Sequence, residues 1–333
     1  MRAVIYTDNG GPEVLTVVER PAAEPSPGEV RVAVRVSGVN PTDWKTRRRQ
    51  LGFDEQVPNQ DGAGVIDAVG PGVDSGRVGQ RVWIWEAAWQ RPGGTAQESV
   101  VLPARQAVAL PDHASFDLGA SLGIPALTAH RCLTVAEAGP DRLAPGALNG
   151  RTVLVAGGAG AVGNAAIQLA RWAGARVVTT VSSAEKAELA RAAGAHHVVN
   201  YRTEPAAEAI RSVAPGGVDV VVEVAPATNG QLDGEVLAQG GVVAMYANEA
   251  SEPTLPLSRV FALNARWQGV LVYTVPDLAK QHAVADVAAA VEAGAVRVGT
   301  EAGLPLHHYP LERIADAHAA VENNAVGKVL VTI

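Results

Sequence analysis

Three glycines, Gly158, Gly160 and Gly163, follow the apolar run "TVLVAG" and open a segment with helical spacing. A G-x-G-x-x-G turn between a strand and a helix suits a pyrophosphate. Residues without side chains let the backbone approach the anion, and the positive end of the helix faces it. The next apolar run, "RVVTTV", ends in Ser182 and Ser183, with Lys186 one helical turn later. A dinucleotide with a free ribose diol is met at this strand end by an Asp or Glu, about 20 residues past the glycines. Here two hydroxyls and an ammonium stand instead; they attract a 2'-phosphate that a carboxylate would repel. Tyr201, closing "HVVNY", places a phenol on the adenine side of the same site. The cofactor these residues predict is NADPH.

The elements that must position these groups are legible from texture. Residues 1 to 120 read as short strands broken by Gly and Pro: "RAVIYT", "EVRVAVRVSGV", "GAGVIDAVG", "QRVWIW" and "AQESVVLP". From 121 onward strands alternate with helices. The helices are predicted over Ala161 to Ala173, "SAEKAELARAAGA", "EPAAEAIRSVA", "NGQLDGEVLA" and Pro276 to Ala293. The strands between them are "RVVTTV", "HVVNY", "VDVVVEVA", "GGVVAMYA" and "WQGVLVYTV". That order predicts an α/β fold with a doubly wound parallel sheet. The tail after it holds one more helix and a short final strand.

At 333 residues with 47% hydrophobic content the chain has material for two domains. A net charge of -7 argues against a nucleic-acid partner, the run Lys45 to Arg49 being the one basic exception. Cys132 is the only cysteine, so neither an intrachain disulfide nor a cysteine-based structural zinc site is expected. No apolar run reaches membrane-spanning length, and "MRAVIYTDNGGPEVL" lacks the apolar core of a secretion signal; no membrane partner and a cytoplasmic location are expected.

Several motifs together carry a family resemblance. "MRAVIYTDNGGPEVL", "SGVNPTDWKTR", "GIPALTAHRCL", "VAGGAGAVG", "VVNY" and the closing "GKVLVTI" occur in the order found in the zinc-independent, zeta-crystallin-like quinone oxidoreductases. Those belong to the medium-chain dehydrogenase/reductase superfamily, and the chain resembles them over its whole length. The resemblance implies a GroES-like β-barrel domain from residues 1–120 and 298–333, around a Rossmann domain from residues 121–297. It further implies hydride transfer from NADPH in a cleft between domains. By similarity, Ala159, Gly160, Ala161 and Val162 cradle the pyrophosphate, and Asn229 lies near the adenine-side ribose. Tyr246, Ala247 and Asn248, with Val270, Leu271 and Val272, approach the nicotinamide half. Asn40 and Thr128 line the nicotinamide and substrate end, and Lys328 reaches toward the phosphates.

Related alcohol dehydrogenases hold catalytic zinc through a Cys, a Gly-His-Glu motif and a later Cys or Asp. The matching residues here are Asn40 and Asn59-Gln60-Asp61, whose amides are poor zinc ligands, so no metal is expected. The pairs His196-His197 and His307-His308 read as surface or packing residues. Reduction of a quinone asks the protein to hold two rings together, exclude water and supply one hydrogen bond to the developing oxyanion. Asn40 is the candidate for that contact or for placing the nicotinamide. Thr128 can do either, and solvent can supply the proton. The competing reading of Asn40 is a turn amide before Pro41, and Asp43 and Asp61 read equally as turn caps.

Where many family members carry a tyrosine after the Asn, this chain has Lys45, with Trp44 beside it. Both are assigned to substrate binding. Trp44, Trp83, Trp85 and Trp89 read either as an aromatic wall for flat acceptors or as barrel packing. The run from Lys45 to Arg49 reads either as a draw for an anionic substrate such as a CoA thioester or as a solvated loop. The leading expectation is an NADPH-dependent quinone reductase. A reductase of enone or enoyl-thioester double bonds is the alternative, and a non-catalytic NADPH-binding protein is the alternative from another class. The apolar segment "RWQGVLVYTV" is predicted at the sheet edge, so a two-fold homodimer through that edge is expected.

Overall fold

Val30, Val32 and Val34 are buried and alternate with Arg31, Ala33 and Arg35, the period of two that makes Glu29–Val39 a strand with one face in a core. The computed structural model describes residues 1–49, 52–248, 252 and 254–333. These form two units: Met1–Ile124 with Pro305–Ile333, and Pro125–Leu304. The divisions fall a few residues beyond those expected at 120 and 297.

The first unit contains β1 (Arg2–Ile5), β2 (Thr16–Glu19), β3 (Glu29–Val39), α1 (Pro41–Arg47), β4 (Asp61–Val69), β5 (Arg81–Ile84), β6 (Ser99–Pro103), β7 (Ala107–Ala109) and α2 (Phe116–Gly119). Helix α3 (Gly123–Leu133) leads into the second unit. There β8 (Thr152–Ala156), α4 (Ala161–Trp172), β9 (Arg176–Val181), α5 (Ala184–Ala192), β10 (His197–Asn200), α6 (Ala206–Val213) and β11 (Val218–Glu223) follow in alternation. Next come α7 (Pro226–Val236), β12 (Leu237–Met245), α8 (Leu257–Leu263), β13 (Arg266–Gly269) and α9 (Asp277–Glu292). The chain returns to the first unit through β14 (Leu306–Pro310), α10 (Ile314–Glu322) and β15 (Lys328–Thr332).

In the first unit the main sheet runs β14-β15-β3-β4-β5-β7, with β6 pairing β3. Two registers matter for function. Gly38 opposes Asp61 across β3 and β4, and Val39 opposes Val329 across β3 and β15. Residues far apart in sequence are thereby set around Asn40, just past the end of β3.

The second unit's sheet has the order β10-β9-β8-β11-β12-β13, all parallel. Strand order reverses between β8 and β11, and the loops after those strands open at the reversal, where open α/β sheets bind ligands. Leu154, Val178, Val221 and Val243 form the sheet's buried side with Ile210 of α6 and Val236 of α7.

Two expectations change, and one open alternative is decided. "RWQGVLVYTV" pairs only over Arg266–Gly269. Val270 N still donates to Met245 O at 2.8 Å, but Leu271 leaves the sheet and Val272–Thr274 closes a 3₁₀ turn. The basic run is no solvated loop throughout, because Lys45 to Arg47 complete α1. Asn40 caps that helix, Pro41 opens it, and Asp43 reaches back to the Asn40 backbone. Arg47 is wholly buried, pairing with Glu322 of α10 and donating to Gly10 O. Trp83 and Trp85 are buried in the first unit, which is the packing reading of those two rings.

Candidate functional site

In the second unit, the turn after β8 shows which glycines the fold itself requires. Gly157 has φ +70°, the left-handed conformation that favours glycine, and it lies just outside the G-x-G-x-x-G pattern. A Cβ on Gly158 would come within 2.2 Å of Thr179 Oγ1, and one on Gly163 within 2.4 Å of Gly157 O. These two let the turn, the helix and the neighbouring strand close together. Gly160 differs: among the described residues a Cβ there would meet only Gly157 O, at an ordinary 3.5 Å. Gly160 also caps α4 with no side-chain hydrogen bond. The first turn of α4 is thus left to a ligand's anion, and the space beside Gly160 to that ligand's approach. Ala159 is buried within this turn, while Ala161 and Val162 are half-buried in the first turn of α4.

At the tip of β9, Lys186 Nζ donates to Ser182 Oγ at 3.1 Å, a pair one helical turn apart. Ser183 is the N-cap of α5, its Oγ accepting from Lys186 N at 3.2 Å, so that hydroxyl already has a structural role. Glu185 is exposed. Because Asn200 pairs with Val181, Tyr201 falls next to Ser182, and it is 47% exposed. The Arg202 guanidinium sits 5.7 Å from that ring's centroid. Arg202 was not singled out from sequence. Its only signal there is adjacency to Tyr201.

Past β11, Glu223 Oε1 accepts from Asn229 Nδ2 at 3.0 Å and from Ala225 N. Asn229 is therefore held by an acid at the strand end. Asp233 of α7 is buried beside Glu223, and burial together with that neighbouring charge pushes the Asp233 carboxyl up to about 9. This buried acid pair was not picked out from sequence. Tyr246 N donates to Glu223 O at 3.0 Å just past β12, and burial raises its phenol. Ala247 is half-buried and Asn248 exposed; Val270 and Val272 are buried, while Leu271 is exposed. The glycine turn, the β9 tip, Asn229, residues 246–248 and residues 270–272 all follow the carboxyl ends of parallel strands, one edge of one sheet. Thr128 lies buried within α3.

The first unit holds a second constellation, fully buried. Asn40 Nδ2 donates to Asp61 Oδ2 at 2.7 Å, and Lys328 Nζ donates to Asn40 Oδ1 at 2.7 Å and to Val39 O at 3.3 Å. Lys328 Nζ also lies 3.8 Å from Asp61 Oδ2, and Ile124 N donates to Asp61 Oδ1 at 2.9 Å. Burial pushes Asp61 up to about 6, with Lys328 and Asn40 opposing, and Asp43 up to about 8, with the Asp61 charge adding to the effect. Burial lowers Lys328. The Lys328 ammonium, which the resemblance directs toward the phosphates, is engaged by Val39, Asn40 and Asp61 within its own unit.

Gln60 Oε1 accepts from Ala88 N at 3.1 Å, and Asn59, at φ +76°, donates from Nδ2 to Ser37 Oγ at 2.9 Å. Asn59 Oδ1 is 3.0 Å from His318 Nε2. Among the described residues no group of three His, Cys, Asp or Glu side chains is placed to hold a metal ion. Trp44 and Lys45 sit half-buried on α1, where Lys45 Nζ and Arg48 stand 5.7 and 5.8 Å from the Trp44 ring centroid. Arg48 also pairs with Glu322 at 2.6 Å.

Residues 26–112 match the family model for the alcohol dehydrogenase GroES-like domain, and residues 161–291 match that for the zinc-binding dehydrogenase. A quinone oxidoreductase of Lama guanicoe is 31% identical over 343 aligned residues, taking in 100% of this chain and 98% of its own. A mycobacterial protein solved in complex with NADPH is 31% identical, with a TM-score of 0.81 and full coverage of both chains. A protein solved as an NAD-dependent alcohol dehydrogenase is 30% identical, with a TM-score of 0.86 and full coverage of both. With likeness of this extent in sequence and in both folds, the chain belongs to the medium-chain dehydrogenase/reductase superfamily, in its zeta-crystallin-like branch.

Proposed function

We propose that this protein is an NADPH-dependent oxidoreductase that passes a hydride to a quinone without a metal ion. The observation that carries the reading is the β9 tip, where Lys186 and Ser182 form a donor pair beside Tyr201. A ribose diol needs an acceptor at that strand end, whereas a 2'-phosphate needs donors. The uncapped first turn of α4 and the open space at Gly160 fit the pyrophosphate. Names of relatives divide between NADPH and NAD, so the local chemistry decides.

Bound NADPH supplies the hydride, and the acceptor is already electrophilic. The remaining demands fall on side chains: orienting the acceptor, excluding water and donating to the oxygen that gains charge. Asn40 is our donor to that oxygen or to the nicotinamide amide, and Thr128 is the second candidate. Trp44, with its flanking cations, is our contact for a flat, electron-poor ring. The ammonium of Lys328 beside Asp61 and Asn40 supports metal independence, because a divalent ion at those ligands would be placed against a buried positive charge. We also place the protein in the cytoplasm; no helix among the described residues is long and apolar enough to cross a membrane.

The test is NADPH oxidation with 9,10-phenanthrenequinone and 1,4-benzoquinone, run beside alkenals and an enoyl-CoA. Turnover of the quinones, retained after dialysis against a chelator, is the expected result. Turnover confined to alkenals or enoyl-CoA would reassign the acceptor. Tight NADPH binding with no oxidation by any acceptor would make the protein a binding module.

A further inference from the structure

The hydrogen bonds around Asn40 allow its amide one orientation. Lys328 Nζ can only donate and meets Oδ1 at 2.7 Å; the Asp61 carboxylate can only accept and meets Nδ2 at 2.7 Å. Turning the amide over would set Nδ2 against an ammonium and Oδ1 against a carboxylate. All three side chains are at most 2% exposed, so water would not relieve either mismatch. The main chain of Asn40 is engaged too: its N–H donates to Asp43 Oδ2 at 2.7 Å, and its carbonyl accepts from Asp43 N at 3.0 Å. Among the described residues one Nδ2 hydrogen is left over. An ammonium on the amide oxygen draws density from the nitrogen and offsets the density that the Asp61 carboxylate returns through the other N–H, so the remaining N–H is kept as a donor.

We propose that Lys328 and Asp61 are positioning residues that hold the Asn40 amide as a one-sided hydrogen-bond donor toward an oxygen gaining negative charge. The inference rests on the reading of Asn40 as the polar contact of the reductase. It adds that Asn40 acts only as part of a unit whose members come from β4 and β15, 21 and 288 residues away along the chain.

A double-mutant cycle tests it on the full-length protein. Asn40→Ala should lower quinone-reductase kcat at least about tenfold, the scale of losing one oxyanion donor. Lys328→Met should lower kcat comparably, with NADPH Kd and acceptor KM within about twofold, and should add little in the Asn40→Ala background. Additive losses, or full kcat in Lys328→Met, would overturn the proposal. Should Lys328→Met not fold, Asp61→Asn serves the same cycle.

A second measurement needs no turnover. In ¹⁵N-labelled protein the two Asn40 Nδ2 hydrogens should give separate signals, one protected from solvent exchange. Protection should fall at least about tenfold in Lys328→Met. Equal exchange in both proteins would reject the lock. A wild type without reductase activity would instead reject the functional reading, leaving the amide signals to decide this one.

Discussion

Lys186 Nζ and Ser182 Oγ lie 3.1 Å apart at the tip of β9, an ammonium and a hydroxyl both half-buried. Taking away the ammonium removes the one full positive charge of that pair. Lys186→Ala should weaken NADPH binding about tenfold, roughly 1–2 kcal/mol for a charge-assisted contact, and leave NADH binding nearly unchanged. Ser182→Asp should go further and reverse the preference. Fluorescence titration of both nucleotides checks this, and the NADPH penalty should shrink as salt is raised.

The glycine turn yields two opposite outcomes within three residues. In Gly158→Ala the new methyl meets Thr179 Oγ1 at 2.2 Å, inside the sheet. It should destabilise the protein by about 1–3 kcal/mol, the usual range for overpacking. In Gly160→Ala the methyl enters open space, so thermal stability should hold while NADPH affinity falls at least about tenfold through lost backbone approach. Paired melting curves and titrations separate the two roles.

What could be read from sequence follows a physical line between local and distant contacts. Ser182, Ser183 and Lys186 were legible because a strand end and one helical turn bring them together by covalent geometry alone. The G-x-G-x-x-G pattern found the turn but not Gly157, whose need for glycine comes from a backbone angle rather than from spacing. Asn40 was legible as a polar residue before Pro41, yet its partner Lys328 arrives through the β3–β15 register, so its role as counter-charge was not. Arg47 looked like one cation in a solvated run. Its burial depends on Glu322, 275 residues away.

His318 is wholly buried on α10, with Nε2 at Asn59 Oδ1 and no hydrogen-bond partner for Nδ1 among the described residues. Burial, with the Arg47 charge adding to it, pushes its pKa down to about 3. The unfolded chain takes up this proton near pH 6.5 and the folded chain does not, so stability is full above that pH and falls as pH drops toward 3. Between pH 6.5 and 4.5 this group alone should cost about 2–3 kcal/mol. His318→Gln keeps a donor for Asn59 without a titrating ring. Its unfolding free energy should therefore decline less steeply across that window, as measured by urea denaturation at several pH values.

Asp233 titrates in the opposite sense. Its folded pKa, about 9, stands above the unfolded value of 3.8, so its contribution is fully present below pH 3.8 and is lost as pH rises through 9. Asp233→Asn keeps a donor toward Glu223 with no proton to lose. The variant should match the wild type near pH 4 and gain on it steadily to pH 9. A melting-temperature difference that stays flat over this range would show that the two acids do not share a proton.

The final prediction concerns the outer edge of the second unit's sheet. Among the described residues strand β13 pairs with β12 alone, and α8, which precedes it in the chain and packs against β12, exposes Leu257 at 58% and Phe261 at 79%. Leu271, just past the strand, is 55% exposed. An edge of unpaired backbone groups flanked by large apolar side chains is an association surface unless something covers it. A second copy meeting it across a two-fold axis buries the same patch on both partners. Because β13 is only four residues long, most of that burial must come from the side chains of α8 rather than from strand pairing. Phe261→Glu should therefore convert a dimer to a monomer in analytical ultracentrifugation at micromolar concentration, with NADPH affinity unchanged. A wild type that sediments as a 34.3 kDa monomer would remove the dimer.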